Sequence, residues 1–202
     1  MNKQYLTGLW LVLLLFLATP AFSAAVPEEI VRQTSDQMLA ELIDRKPELQ
    51  ASPGKIYDLV EHIVLPRFDF QRMSQLVLGK YWPRASDGEK EAFVKAFRQL
   101  LVRTYATALL NYSGQEIVYL PSHQGTDRNE ATVNTQVQAS GALPIPIDYR
   151  LHLNGEEWKV FDVSIDGISL VSNYRSSFAS QIRRHNLSGL IEKLEQRNEQ
   201  RN

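Results

Sequence analysis

Cysteine is absent from the 202-residue chain, and that absence excludes several chemistries at once. No lipid-anchoring thiol, disulfide framework, thiolate nucleophile or thiolate metal site is available. A charge excess is missing as well: 22 Lys and Arg stand against 23 Asp and Glu, a formal net charge of -1. Binding to a phosphate backbone needs a basic footprint, so nucleic acid is not expected as a partner. Long apolar runs are scarce; the longest, Leu9 to Ala18, is too short for a membrane helix of about 20 residues. Four histidines are present, with no H-E-x-x-H spacing among them, and no G-x-S-x-G elbow occurs. No catalytic residue, metal site or cofactor is expected.

What is present begins with a leader. Residues 1–23 carry one positive charge at Lys3, the apolar run, Pro20 and the small-x-small site Ala21, Phe22, Ser23, the pattern of a secretory signal peptide. Its removal would leave 21 Lys and Arg against 23 acids, a charge of -2. Residues 24–195 are of a length that one domain accommodates. Residues 196–202, "QRNEQRN", are polar enough to fray.

Periodicity divides the remainder into a helical first half, a β second half and a helical end. Pro27 with two acids opens one helix that can align Val31, Met38 and Leu42. Ser52 and Pro53 precede a second, with Ile56, Leu59, Val60, Ile63 and Val64 on one side until Pro66. A third starts after Asp69 and turns Met73, Leu76 and Val77 inward. Ser86 and Glu89 stand at capping-box spacing before a long fourth helix with Phe93, Phe97, Leu100, Leu101 and Tyr105 on its apolar face, ending at Gly114.

From Glu116 the period becomes two. Val133, Thr135 and Val137, then Ile147, Tyr149, Leu151 and Leu153, alternate with polar residues. Asn154-Gly155 marks a hairpin into a strand with Phe161, Val163 and Ile165. Keeping odd-numbered residues on one face of both arms requires a loop of odd length, so three or five residues are expected. After Gly167 the apolar positions become even, which a bulge at Asp166-Gly167 would explain by returning Ile168 and Leu170 to the dry face. Val171, Tyr174, Phe178 and Ile182 continue at helical spacing, and after "RRHN" a last helix aligns Leu187, Leu190, Ile191 and Leu194. The expected fold class is α+β: a four-stranded, bent antiparallel sheet with helices gathered on one face around an apolar cavity.

"DVSIDG" resembles the opening of a calcium loop, with Asp162, Ser164 and Asp166 followed by Gly167. The twelfth-position acid is missing, because Asn173 stands there, and the acids are read as the wet face of a strand. His62, His123, His152 and His185 read as surface histidines, and Arg183-Arg184 as cations favouring a helix end.

The segments "LPRFDFQRMSQLVLGKYW", "SDGEKEAFVKAFRQLLVRTYATALLNYSGQEI" and "EEWKVFDVSIDGISLVSNYRSSFASQI" resemble the MlaC family, also called toluene-tolerance proteins, over nearly the whole chain after the leader. That resemblance implies a periplasmic, non-enzymatic phospholipid carrier of the lipid-asymmetry pathway. It implies as partners an outer-membrane lipoprotein-porin complex and the MCE-domain subunit of an inner-membrane ABC transporter, with the carrier working as a monomer. Two acyl chains of on the order of 30 methylenes, at about 0.8 kcal/mol each, need a dry enclosure worth roughly 24 kcal/mol gross. The expected lipid-facing wall is Val133, Val137, Tyr149, Leu151, Phe161, Val163, Ile165, Ile168 and Leu170 from the sheet side, Phe97, Leu101 and Tyr105 from the fourth helix, and Tyr174 and Phe178. With no Arg or Lys in that set, weak headgroup discrimination is expected. A non-catalytic chaperone or adaptor with a solid core shares the same periodicity. A periplasmic hydrolase would need convergent ionisable groups that the wall does not supply.

Overall fold

Proline and two acids do open the first helix. The computed structural model describes residues 26–121, 123–124 and 128–199; the expected leader, residues 1–23, and the last three residues lie outside them. Helix α1 (Pro27–Asp44) buries Val31, Met38 and Leu42, and α2 (Lys46–Ala51) follows after one residue. The second expected helix is broken into pieces: a 3-10 turn (Pro53–Lys55), α3 (Ile56–Leu59), a π-helical turn (Val60–Val64) and a second 3-10 turn (Leu65–Arg67). Ser52 makes no side-chain capping bond. Pro66 has no N–H to give the ladder, and the wider π turn lets both Ile63 and Leu65 reach the core. Helix α4 (Phe70–Leu78) is capped as expected, with the Arg72 N–H donating to Asp69 Oδ1 at 2.8 Å. Helix α5 (Asp87–Leu109) carries the full capping box, the Ser86 N–H donating to Glu89 Oε2 and the Glu89 N–H to Ser86 Oγ.

The sheet is antiparallel throughout. Its strands are β1 (Glu116–Tyr119), β2 (His123–Gln124), β3 (Glu130–Gln138), β4 (Ile145–Asn154), β5 (Glu157–Ile165) and β6 (Ile168–Ser169), in the order β1-β3-β4-β5-β6, with β2 also on β3. The four expected strands are β1, β3, β4 and β5; β2 and β6 are two-residue additions.

Two turns differ from the sequence reading, and one physical reason covers both. The β4–β5 loop is the two-residue turn Gly155-Glu156, since Asn154 pairs with Glu157, with Gly155 at φ 65. Parity is restored farther along by a bulge: Leu151 pairs with Val160 whereas Arg150 pairs with Asp162, leaving Phe161 as the extra residue. Asp166-Gly167, in contrast, is not a bulge. Ser164 pairs with Ser169 and Ile165 with Ile168, so these two residues form a tight hairpin turn, with φ 51 and 76. An extra residue can be absorbed anywhere along a strand, and the alternation pattern does not say where.

Helix α6 (Leu170–Glu199) starts directly after β6 and breaks at Asn186, φ 56, where "RRHN" suggested a boundary. Asn186 Oδ1 accepts from the Gly189 N–H at 2.9 Å and so caps the second segment. Residues 196–199, expected to fray, are its last turn: Asn198 is buried and its Nδ2 donates to the Ala96 carbonyl at 3.0 Å. Three apolar clusters result. One joins α4, α5 and both segments of α6; one joins α1, α2, α3 and α5; the third lies on the sheet and receives Val31 of α1, Tyr105 of α5 and Tyr174 of α6. Helices α1, α5 and α6 therefore bear on the apolar face of the sheet, while α4 and the start of α6 also close over the other side of β5.

Candidate functional site

Register sorts the apolar sheet residues into rungs. Leu151 and Val160 pair, then Val133, Tyr149 and Val163 line up, then Tyr119, Thr135, Ile147, Ile165 and Ile168, and last Ile117, Val137 and Ile145. Directly paired residues share a face, so this is one continuous apolar track. Its exposure is graded. Leu151, Val160, Val133 and Val163 are buried, Tyr149, Ile147, Ile165 and Val137 half-buried, and the far end is open to water, with Ile145 49 % and Ile168 62 % exposed. Leu143, in the loop before β4, is 88 % exposed. The Asp166 N–H donates to the Pro146 carbonyl at 2.9 Å, which holds the β5–β6 turn beside Ile145 at that end.

Polar groups within the track are internally satisfied or neutral. Thr135 Oγ1 donates to the Ile147 carbonyl at 2.8 Å. Burial pushes the Tyr149 phenol up to about 12, and burial together with the neighbouring Tyr174 does the same for Tyr105. The folded state therefore favours the neutral phenols. Their contribution is complete below pH 10 and is lost as pH rises from 10 towards 12. The thermal midpoint is accordingly expected to fall in that alkaline window, and a Tyr149→Phe, Tyr105→Phe variant should fall less steeply there in a pH series of melting curves.

The expected wall divides between two clusters. Val133, Leu151, Val163 and Leu170, with half-buried Tyr149 and Ile165, share the sheet cluster, while Phe97, Leu101 and Phe178 sit in the helical one. Tyr105 and Tyr174 touch both. Tyr174 stacks edge-on against Phe97, centroids 5.3 Å apart. Val137 is half-buried on the outer rung. Two assignments change. Ile168 faces water, because the turn before it ends the inward run, and Phe161 leaves the track for the helical cluster, because it is the bulged residue. Val31 and Ile147, which periodicity turned inward, join the sheet cluster together with Phe68, Tyr119, Trp158 and Val160, although none of the six stood in the expected wall. For Val160 the signal was masked by the bulge, whereas Ile147 was legible as the outward continuation of Tyr149 and Leu151.

The opposite face of β4 and β5 is polar, with Arg150 exposed and two of its residues buried. Asp162 is 2 % and His152 8 % exposed, which corrects their reading as strand and surface residues facing water. Ser169 Oγ donates to Asp162 Oδ2 at 2.6 Å, and the Val171 N–H donates to Asp162 Oδ1 at 3.1 Å, so this carboxylate holds the first turn of α6. His152 Nε2 lies 2.9 Å from Asp69 Oδ2, and its Nδ1 lies 3.4 Å from Arg72 Nη1. An imidazole with its proton on Nε2 donates to the first and accepts from the second. Arg72 also pairs with Glu130. Arg72 and Arg150 both pack on the Phe161 ring, 4.6 and 4.7 Å from its centroid. This network ties α4 and α6 to the sheet, with both nitrogens of His152 engaged. Among the described residues no group of three His, Asp or Glu could hold a metal, and no helix is long and apolar enough to cross a membrane.

Two small cavities lie elsewhere. One of about 150 Å³ is lined by Leu42, Leu49, Leu109 and Tyr112 among others, and one of about 140 Å³ lies between α5 and α6. Neither is lined by a strand residue. Over the track itself, where an open cavity was expected, the rings of Tyr105, Tyr174 and Phe68 pack against the sheet cluster.

Comparison with known proteins agrees with this architecture. The sequence model of the MlaC protein family matches residues 32–196. The MlaC binding protein of the intermembrane phospholipid transport system of Haemophilus influenzae is 27 % identical over 198 residues, spanning 96 % of this chain and 92 % of the relative. The toluene tolerance protein ttg2D of Pseudomonas putida is 29 % identical over 176 residues, 87 % of this chain and 81 % of the relative. Among solved structures, a phospholipid-binding protein from Ralstonia solanacearum in complex with a phospholipid superposes with a TM-score of 0.80 at 32 % identity, covering 88 % of this chain and 99 % of the other. With a family match over most of its length, on a sheet-and-helix architecture it shares with that lipid-bound neighbour, the chain belongs to the MlaC family.

Proposed function

We propose that this protein is a diffusing periplasmic phospholipid carrier that accepts acyl chains along the apolar track of its sheet, between β3, β4, β5 and the rings of Tyr105 and Tyr174. The observation that carries this reading is the graded exposure of one face, from water at Ile145 and Ile168 to full burial at Leu151 and Val160. A core that served stability alone would have no reason to continue to an exposed apolar end. The phospholipid named with the Haemophilus and Ralstonia relatives supports the same ligand class. For chains to enter, Tyr105 and Tyr174 must swing away from the track, a movement of side chains that needs no change of strand register. The lipid leaves and reaches its membranes through the family's expected partners, the outer-membrane lipoprotein-porin complex and the MCE-domain subunit of the ABC transporter, with the carrier acting as a monomer.

The packing of rings over the track favours a second reading, an adaptor with a solid core. Organic extraction of the purified protein followed by lipid mass spectrometry separates the two. Phospholipid near one per chain is the expected result for a carrier. Protein that emerges lipid-free, and stays so after incubation with phospholipid vesicles, would establish the adaptor instead.

A further inference from the structure

The cavity between α5 and the two segments of α6 has a composition unlike the sheet track. Its floor is Leu100, Phe178 and Leu194, with Tyr174 at one side. The remaining lining residues are Ser177, Gln181, Lys193 and Arg197. Pairs spaced by four residues share a helix face, so Ser177 and Gln181 converge from the first segment of α6, and Lys193 and Arg197 from the second. All four can donate hydrogen bonds, two carry positive charge, and no acidic residue lines the cleft. None of the four is committed to another side chain among the described residues. Leu100 and Leu194 are buried, while Lys193 and Arg197 are exposed. The result is an apolar slot under a cationic, donor-rich rim.

Such a site matches a ligand with an anionic head on an apolar stem. The size limits the stem, because about 140 Å³ is on the order of a cavity that holds one benzene ring. It takes the first part of a single chain, not a pair of chains. We propose that this cleft binds a single-chain anionic amphiphile, with its phosphate or carboxylate on Lys193 and Arg197 and its proximal methylenes on Leu100, Phe178 and Leu194. Charge-assisted bonds from two cations fix the head, and the dry floor rejects an ion without a stem. The site is separate from the sheet track, although Tyr174 lines one and packs on the other.

Calorimetric titration of the purified full-length protein, carrying whatever lipid it retains, tests the assignment with dodecyl phosphate, dodecanoate, dodecanol and inorganic phosphate. Both anionic amphiphiles should bind, and neither dodecanol nor inorganic phosphate should displace them at equal concentration. A Lys193→Gln, Arg197→Gln variant should bind them at least about tenfold more weakly, with unchanged melting temperature and unchanged copurifying phospholipid, and Arg184→Gln should bind like the parent. Tighter binding of the phosphate identifies a single-chain phospholipid as the source of the head, and tighter binding of the carboxylate a fatty acid; both support the site. Equal affinity in the double variant, or full competition by dodecanol, overturns it. Because the readout is binding of the added amphiphile, its failure would leave the phospholipid content, and so the carrier reading, standing.

Discussion

Asp162→Ala is expected to destabilise the protein by about 3 kcal/mol, since two hydrogen bonds to one buried carboxylate are lost at about 1.5 kcal/mol or more each. For a chain of this size that corresponds to a fall of roughly 6–12 °C in thermal midpoint. The reason lies in what the carboxylate touches. It accepts from Ser169 Oγ and from the Val171 N–H, the latter one of the unpaired donors at the start of α6, and Arg150 Nη1 stands 3.9 Å away. Removing it orphans a buried N–H and leaves Arg150 with Glu130, at 3.7 Å, and the Phe161 ring. Asp162→Asn keeps an acceptor for one donor and should cost about half as much. Thermal melts of both variants provide the check, and a midpoint within a degree of the parent for Asp162→Ala would show that α6 is held by its apolar contacts alone. The functional consequence follows from position: Tyr174, which borders the proposed acyl path, lies one helical turn beyond Val171.

How far this arrangement was legible differs from element to element. Caps and long periods carried their information locally: Asp69 before α4, the Ser86 and Glu89 pair before α5, and the break at Asn186 all stand where the residues placed them. Alternation identified the faces of β3 and β4 correctly. It failed on β5, because a bulge and an odd loop satisfy parity equally well, and only the tertiary packing of Phe161 against the α4, α5 and α6 cluster decides between them. Alternation also labels Asp162, His152 and Ser169 as outward, and on the sheet they are; what the sequence could not display is that α4 and α6 cover that side of β5 and convert an outward position into a buried one. Ser169 even accepts from the Ser172 N–H at 3.1 Å as part of the α6 start. The site suffered the same limit. Its inner rungs were readable from apolar periodicity, but the exposed end was not, because period-two patterning distinguishes faces and is silent on where along a strand the helices stop covering it.

Ile147→Glu is expected to abolish lipid loading while leaving a folded protein, and its contrast with Ile168→Glu locates the boundary of the track. Ile147 stands in the third rung, half-buried between Thr135 and Ile165, where chains leaving the buried rungs would pass. A carboxylate there is unpaired among hydrocarbon, and a penalty of roughly 3 kcal/mol against the bound lipid lowers its affinity about 100-fold. Without lipid the same side chain lies near the open end of the sheet and can keep water, so helix and sheet content by circular dichroism should match the parent. Ile168 is joined to this rung through Ile165 but is 62 % exposed. Its Glu stays in solvent, and surface substitutions of this kind change stability by about 0.5 kcal/mol or less. Copurifying phospholipid per chain should therefore fall more than tenfold in Ile147→Glu and stay within about twofold of the parent in Ile168→Glu. Full lipid content in the Ile147 variant would remove the sheet face from the acyl path. Equal loss in both would instead carry that path out past the β5–β6 turn, to the edge of the molecule.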